Sequence, residues 1–80
     1  MSAEHVDLEL DCRGMLCPLP IIELGRRVGE VPLGGVVAVV ATDLAARHDV
    51  PAWCRMRQQE YVGEDAADDG VPRYLVRRLS

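Results

Sequence analysis

Val6-Asp7-Leu8-Glu9-Leu10-Asp11-Cys12-Arg13-Gly14-Met15-Leu16-Cys17-Pro18-Leu19-Pro20 contains a change of hydrophobic period. Val6, Leu8, Leu10 and Cys12 alternate with Asp7, Glu9 and Asp11. Period two predicts a strand with one buried face. Arg13-Gly14 marks a turn. Proline is favoured at the first helical position, where its missing N–H costs nothing. A helix is therefore expected to open at Pro18, with Cys17 as its N-cap. From Pro18 to about Gly29, Ile21, Ile22, Leu24 and Val28 recur at helical spacing. Gly25 within that helix costs about 1 kcal/mol relative to alanine and reads as a point of close packing on a sheet. Pro32 and Gly34-Gly35 end the unit.

Val36 to Ala41 is β-branched and almost purely apolar, which suits a central strand. Thr42-Asp43 follows with capping chemistry, and Asp43 to Arg47 fits a short helical turn. Asp49 is read as the cap of a second helix from about Val50 to Gln59, with Pro51 in its first turn. Ala52, Trp53 and Met56 form an apolar stripe on that helix. Tyr61 and Val62 begin a third strand, and Asp68-Asp69-Gly70 is a hairpin turn. Arg73 to Leu79 is the last strand, with Tyr74 and Val76 on one face and Leu75 and Leu79 on the other. The order is β-α-β-α-β-β. Strands separated by helices predict both helices on one sheet face, leaving the other face to water or a partner.

The 80 residues are expected to make one domain, 1–80. The chain carries no phenylalanine, so aliphatic side chains must fill the core. The net charge is −4 and every cation other than histidine is arginine. That charge argues against direct nucleic-acid binding. Arg73, Arg77 and Arg78 read first as a solvated strand face and second as a docking patch. The longest apolar run is too short to span a bilayer, and no signal-peptide pattern appears around Glu4 and Asp7. A cytoplasmic protein is expected, with no membrane contact. Its three cysteines are an odd count, which does not suit a disulfide framework, so thiols are expected.

The chemistry points to Cys17. A thiol at a helix N-terminus has a lowered pKa, and the thiolate is the attacking form. Pro20 has no N–H, which leaves Leu19 as the main backbone donor to the sulfur. Pro18 and Pro20 fix the local backbone, with Gly14 at the preceding turn. Leu16 and Leu19 flank the sulfur as an apolar collar for docking. Cys12 and Cys54 read as core residues, with Cys12 a resolving thiol in the alternative reading. No C-x-x-C pair exists to join His5 or His48 in a zinc site, so no metal is expected. Two rival readings are a thiol redox or regulatory module and an interaction module that binds a larger enzyme. No general base is evident, so the protein is a co-substrate as much as an enzyme.

These pieces together resemble the TusA (SirA-like) sulfur-carrier family. The likeness rests on Leu10-Asp11-Cys12-Arg13-Gly14, Cys17-Pro18-Leu19-Pro20, Thr42-Asp43, Asp49-Val50-Pro51-Ala52-Trp53-Cys54 and Asp69-Gly70-Val71-Pro72-Arg73-Tyr74-Leu75-Val76-Arg77. It implies an α/β (α+β) two-layer sandwich with a four-stranded mixed sheet and two helices. It also implies a sulfurtransferase without cofactor, in which Cys17 accepts sulfane sulfur as a persulfide and Pro18, Pro20 and Gly14 frame it. The implied donor is a cysteine desulfurase or a rhodanese-like protein. The acceptor is another sulfur-relay protein, on a route such as tRNA 2-thiouridine synthesis. Arg13, Leu16 and Leu19 are the expected docking residues, and the carrier is expected to be a monomer. Relay members often carry a charged residue before the cysteine and an acidic one between the prolines. Leu16 and Leu19 stand at those positions here.

Overall fold

The computed structural model describes residues 5–80. Glu4, named above for the absent signal-peptide pattern, lies outside the described residues. The elements are β1 (Leu8–Cys12), α1 (Leu19–Arg27), a single 3-10 turn (Val28–Glu30), β2 (Val36–Ala41), α2 (Ala46–Arg57), β3 (Glu60–Ala66) and β4 (Pro72–Arg77). They form one four-stranded sheet in the order β1-β2-β4-β3. β1 and β2 are parallel, while β4 runs antiparallel to both β2 and β3. The sheet is therefore mixed, and α1 and α2 pack on the same face of it, as expected.

The valine run of β2 is central because it is apolar on both faces. Each of its six residues is buried. Val37, Val39 and Ala41 join Leu10, Cys12, Leu24, Val50, Trp53, Tyr74 and Val76 in the main core under the helices. Val36 and Ala38 face the other way, against Leu75, Val6 and Val62. Fully burying one such side chain contributes about 1.5–3 kcal/mol. Val6 was expected to continue the β1 alternation. The chain bends at Asp7 instead, and Val6 crosses to the second cluster. Leu79 lies beyond β4 and is exposed.

Gly25 faces α2 rather than the sheet: a Cβ there would stand 3.7 Å from Trp53 Nε1. Gly35 fills the close approach before β2. A Cβ at that position would come within 2.9 Å of the Pro32 carbonyl and 3.1 Å of the Asp7 carboxylate.

The face opposite the helices is crossed by ion pairs. Arg73 reaches Asp65 on β3 with two nitrogens and Glu9 on β1 with a third, at 2.8–2.9 Å. Arg77 pairs with Glu60, and Arg78 donates to the Val31 carbonyl. Arg73 and Arg77 are thus ion-paired within the chain, while Arg78 is held by main-chain carbonyls. Arg73 is only 18% exposed, and its fork geometry is the strong form of such a contact.

Cys54 is 1% exposed. Burial pushes its thiol up from 9.0 to about 11. A pKa raised on folding contributes stability that is fully present below the unfolded thiol value and is lost as pH rises through the folded one. The protein is therefore expected to lose about 2–3 kcal/mol of stability between pH 9 and pH 11. Chemical denaturation at the two pH values checks this. Cys54→Ala is expected to flatten that dependence, leaving the contributions of the other alkaline groups.

Candidate functional site

Two loops build the site, both at the C-terminal ends of the parallel strands. The first is the β1–α1 connection. Gly14 adopts φ +79°, a left-handed conformation that glycine tolerates without strain. Met15 then donates its N–H to the Cys12 carbonyl, closing the turn. The second is the β2–α2 connection. Thr42 Oγ1 accepts the Gly14 N–H at 2.9 Å, and Asp43 Oδ2 accepts the Cys17 N–H at 2.9 Å. Asp43 Oδ1 accepts the Ala45 N–H at 3.0 Å. One carboxylate thus pins the Cys17 backbone and caps the approach to α2. The Cys17 and Ala45 N–H groups hold the Asp43 carboxyl below the usual carboxylate range.

The main-chain carbonyl of Asp43 separately accepts the Ala46 N–H. Asp43→Ala is expected to cost about 1–2 kcal/mol from the lost cap and to loosen the Cys17 loop. Denaturant titration measures the first effect. Faster amide exchange at Cys17 reports the second.

Cys17 itself sits one residue earlier than expected. The N-cap of α1 is Pro18, and the Cys17–Pro18 peptide is cis. The Leu19 N–H donates to the Leu16 carbonyl at 2.8 Å, so it is not given to the sulfur. The thiol instead donates to Asp49 Oδ2 at 2.9 Å. The expected lowering of the thiol pKa is overturned. The Asp49 hydrogen bond, with partial desolvation and the charges of Asp49 and Asp43, raises it.

Asp49 is not the cap of α2. The helix begins at Ala46, so Asp49 is its fourth residue and Pro51 lies in its interior. The backbone bonds at Asp43 start the helix early, through Ala46 N–H to Asp43 carbonyl and Arg47 N–H to Leu44 carbonyl. That register turns Asp49 toward α1. The same register redirects the stripe on α2. Ala46, Val50, Trp53 and Cys54 are buried, whereas Ala52 and Met56 are exposed. Ala52, Trp53 and Met56 face Pro18 and Ile21 across a groove of about 260 Å³, with Cys17 and Asp49 beside it. Below, Cys17, Pro20, Ile21, Asp43, Ala46 and Asp49 enclose a notch with no room for a water molecule.

Leu16 and Leu19 are 71% and 50% exposed, as a docking collar requires. Arg13 is held between Asp11 and Asp69, bracing the end of β1 against the β3–β4 turn. Cys12 is fully buried and burial raises its thiol; it is poorly placed to resolve a disulfide. Among the described residues, no group of His, Cys, Asp and Glu has the arrangement to hold a metal ion. No described helix is long and apolar enough to cross a membrane. Asp43 and Asp49 were legible only as caps. Their meeting at Cys17 is a contact between distant segments, and spacing gives no sign of it.

The family model described as Sulfurtransferase TusA matches residues 8–78. The chain belongs to the TusA family. It is 40% identical over 75 residues to the sulfur carrier protein TusA of Pseudomonas syringae pv. syringae, covering 94% of this chain and 88% of that protein. A putative sulfur carrier protein of Archaeoglobus fulgidus is 32% identical, over 86% of this chain and 90% of its own length. A crystal structure of a SirA-like protein from Desulfitobacterium hafniense superposes with a TM-score of 0.76 at 22% identity, covering 91% of this chain and 99% of that one. The TusA fold is therefore shared with a distant relative, and the TusA sequence pattern extends through every strand and helix described above.

Proposed function

We propose that this protein is a sulfur carrier in which Cys17 accepts sulfane sulfur as a persulfide from a donor protein and hands it to an acceptor protein. The observation that carries this reading is the contrast among the thiols. Cys17 is exposed beside an apolar groove, while Cys12 and Cys54 are buried. Only one of the three thiols is open to a protein-borne electrophile. The names carried by its relatives support the same role. Pro18, Pro20 and Gly14 frame the site, and Leu16 and Leu19 supply apolar contact for the two partners. The donor is a cysteine desulfurase or a rhodanese-like protein. The acceptor is a further relay protein, with tRNA 2-thiouridine synthesis as one route served.

The test is the intact mass of the protein after incubation with a cysteine desulfurase and cysteine. A reducible gain of one sulfur, mapped by peptide analysis to Cys17, is the expected result. No gain, repeated with thiosulfate and a rhodanese, overturns the reading.

A further inference from the structure

Asp49 approaches Cys17 from α2 and Asp43 from the loop before it, while α1 contributes apolar Pro20 and Ile21. Among the described residues, no cation pairs with either carboxylate. Asp43 is occupied by backbone N–H groups. Asp49 Oδ2 receives the thiol at 2.9 Å. A thiolate at that place would face a carboxylate with no proton between them. The arrangement therefore favours the protonated sulfur, the opposite of what a nucleophile waiting in solution needs.

We propose that Asp49 is a latch on the empty carrier: it holds Cys17 as a neutral thiol turned toward the groove, and it releases the side chain once a second sulfur is bound. The release half rests on the sulfur-carrier reading; the holding half does not. Sulfur uptake makes the distinction between the two states. The Cys17 thiol gives up its proton and its sulfur attacks the terminal sulfur of the donor persulfide. The Cys17 Sγ–S bond forms and the donor's S–S bond breaks. The donor sulfur leaves with the electron pair and takes up the proton, and the sum is neither oxidation nor reduction. Asp49 touches the thiol through its proton alone and is a positioning residue. After transfer, Sγ carries sulfur where it carried hydrogen. It has nothing left to donate to Asp49, and an ionised terminal sulfur is repelled by both carboxylates. The hydrogen bond exists in the empty state alone.

The latch would also protect the exposed thiol of the empty carrier. A neutral thiol is slow toward peroxide, alkylating agents and stray disulfides. A donor protein that draws Asp49 away with a basic side chain would free the sulfur only where sulfur is offered.

The first measurement is the rate of alkylation of Cys17 by iodoacetamide across the neutral and alkaline range, with the folded state checked by circular dichroism. Asp49→Asn is expected to titrate at lower pH than the wild type and to react about 3–10-fold faster at pH 7. Superimposable profiles overturn the latch, because a merely structural Asp49 would not move a titration. The second measurement needs no variant. In the wild-type protein, the Asp49 carboxyl ¹³C resonance should move with the same midpoint as the Cys17 Cβ, and should move again on loading. An Asp49 resonance that ignores both events overturns the proposal even if Asp49→Asn does not fold. Loading is followed by mass. If no sulfur is taken up, the carrier reading and the release half fall together, while the alkylation profile still decides the holding half.

Discussion

Cys17→Ser is expected to abolish sulfur uptake completely and to leave the fold unchanged. The serine hydroxyl occupies nearly the same volume and can still donate to Asp49 Oδ2, and the backbone N–H remains bound to Asp43. Cys17 is exposed, so no core cavity is created, and the change in stability should stay within about 0.5 kcal/mol. The oxygen cannot form a persulfide. The other two thiols cannot replace it, because both are buried and burial raises each. Intact mass after exposure to a desulfurase and cysteine should therefore show one added sulfur on the wild type and none on the variant. A sulfur gained by Cys17→Ser would place the chemistry on a buried thiol and require the core to open.

Trp53→Ala is expected to destabilise the protein by about 3–5 kcal/mol, the usual cost of deleting a large buried aromatic. A chain of 80 residues has about 4–12 kcal/mol in total, so the variant should be marginal at room temperature. The ring is 4% exposed and belongs to the main core. It also sits across from Gly25, forms one wall of the groove beside Cys17 and lies 5.7 Å beneath the Arg57 guanidinium. Its loss removes core packing and groove shape together. Denaturation followed by circular dichroism is the measurement, since the sole tryptophan can no longer report by fluorescence. A loss below about 1 kcal/mol would mean the core closes over the gap.

Much of this fold was legible because its signals are local. The period-two run before Cys12, the valines of β2 and the Asp68-Asp69-Gly70 turn each declare their conformation within a few residues. The turn forms as read, with Gly70 at φ +86° and its N–H bound to the Ala67 carbonyl. Cys17 was legible for the same reason, since cysteine followed by two spaced prolines is a compact pattern. What escaped was non-local. Asp49 was read as a helix cap because Val50-Pro51 resembles a helix start, yet capping bonds at Asp43 begin the helix earlier and turn Asp49 toward Cys17. The thiol pKa was then expected to fall when it rises. Local sequence shows the helix end near the sulfur but not a carboxylate 32 positions away. Arg73 was equally opaque: its partners Glu9 and Asp65 lie 64 and 8 positions distant and meet only through strand pairing.

The ion-paired sheet face has a consequence for traffic. With Arg73 and Arg77 already ion-paired inside the chain, that side offers a visitor little unspent charge. On the sulfur-carrier reading proposed above, donor and acceptor then share one berth, the corner around Cys17. Two proteins cannot occupy one corner of so small a molecule at once, so the carrier must cast off from one before it ties up at the other. Throughput then depends on how many carriers are afloat between the two, and an excess of either partner would hold the whole fleet in harbour.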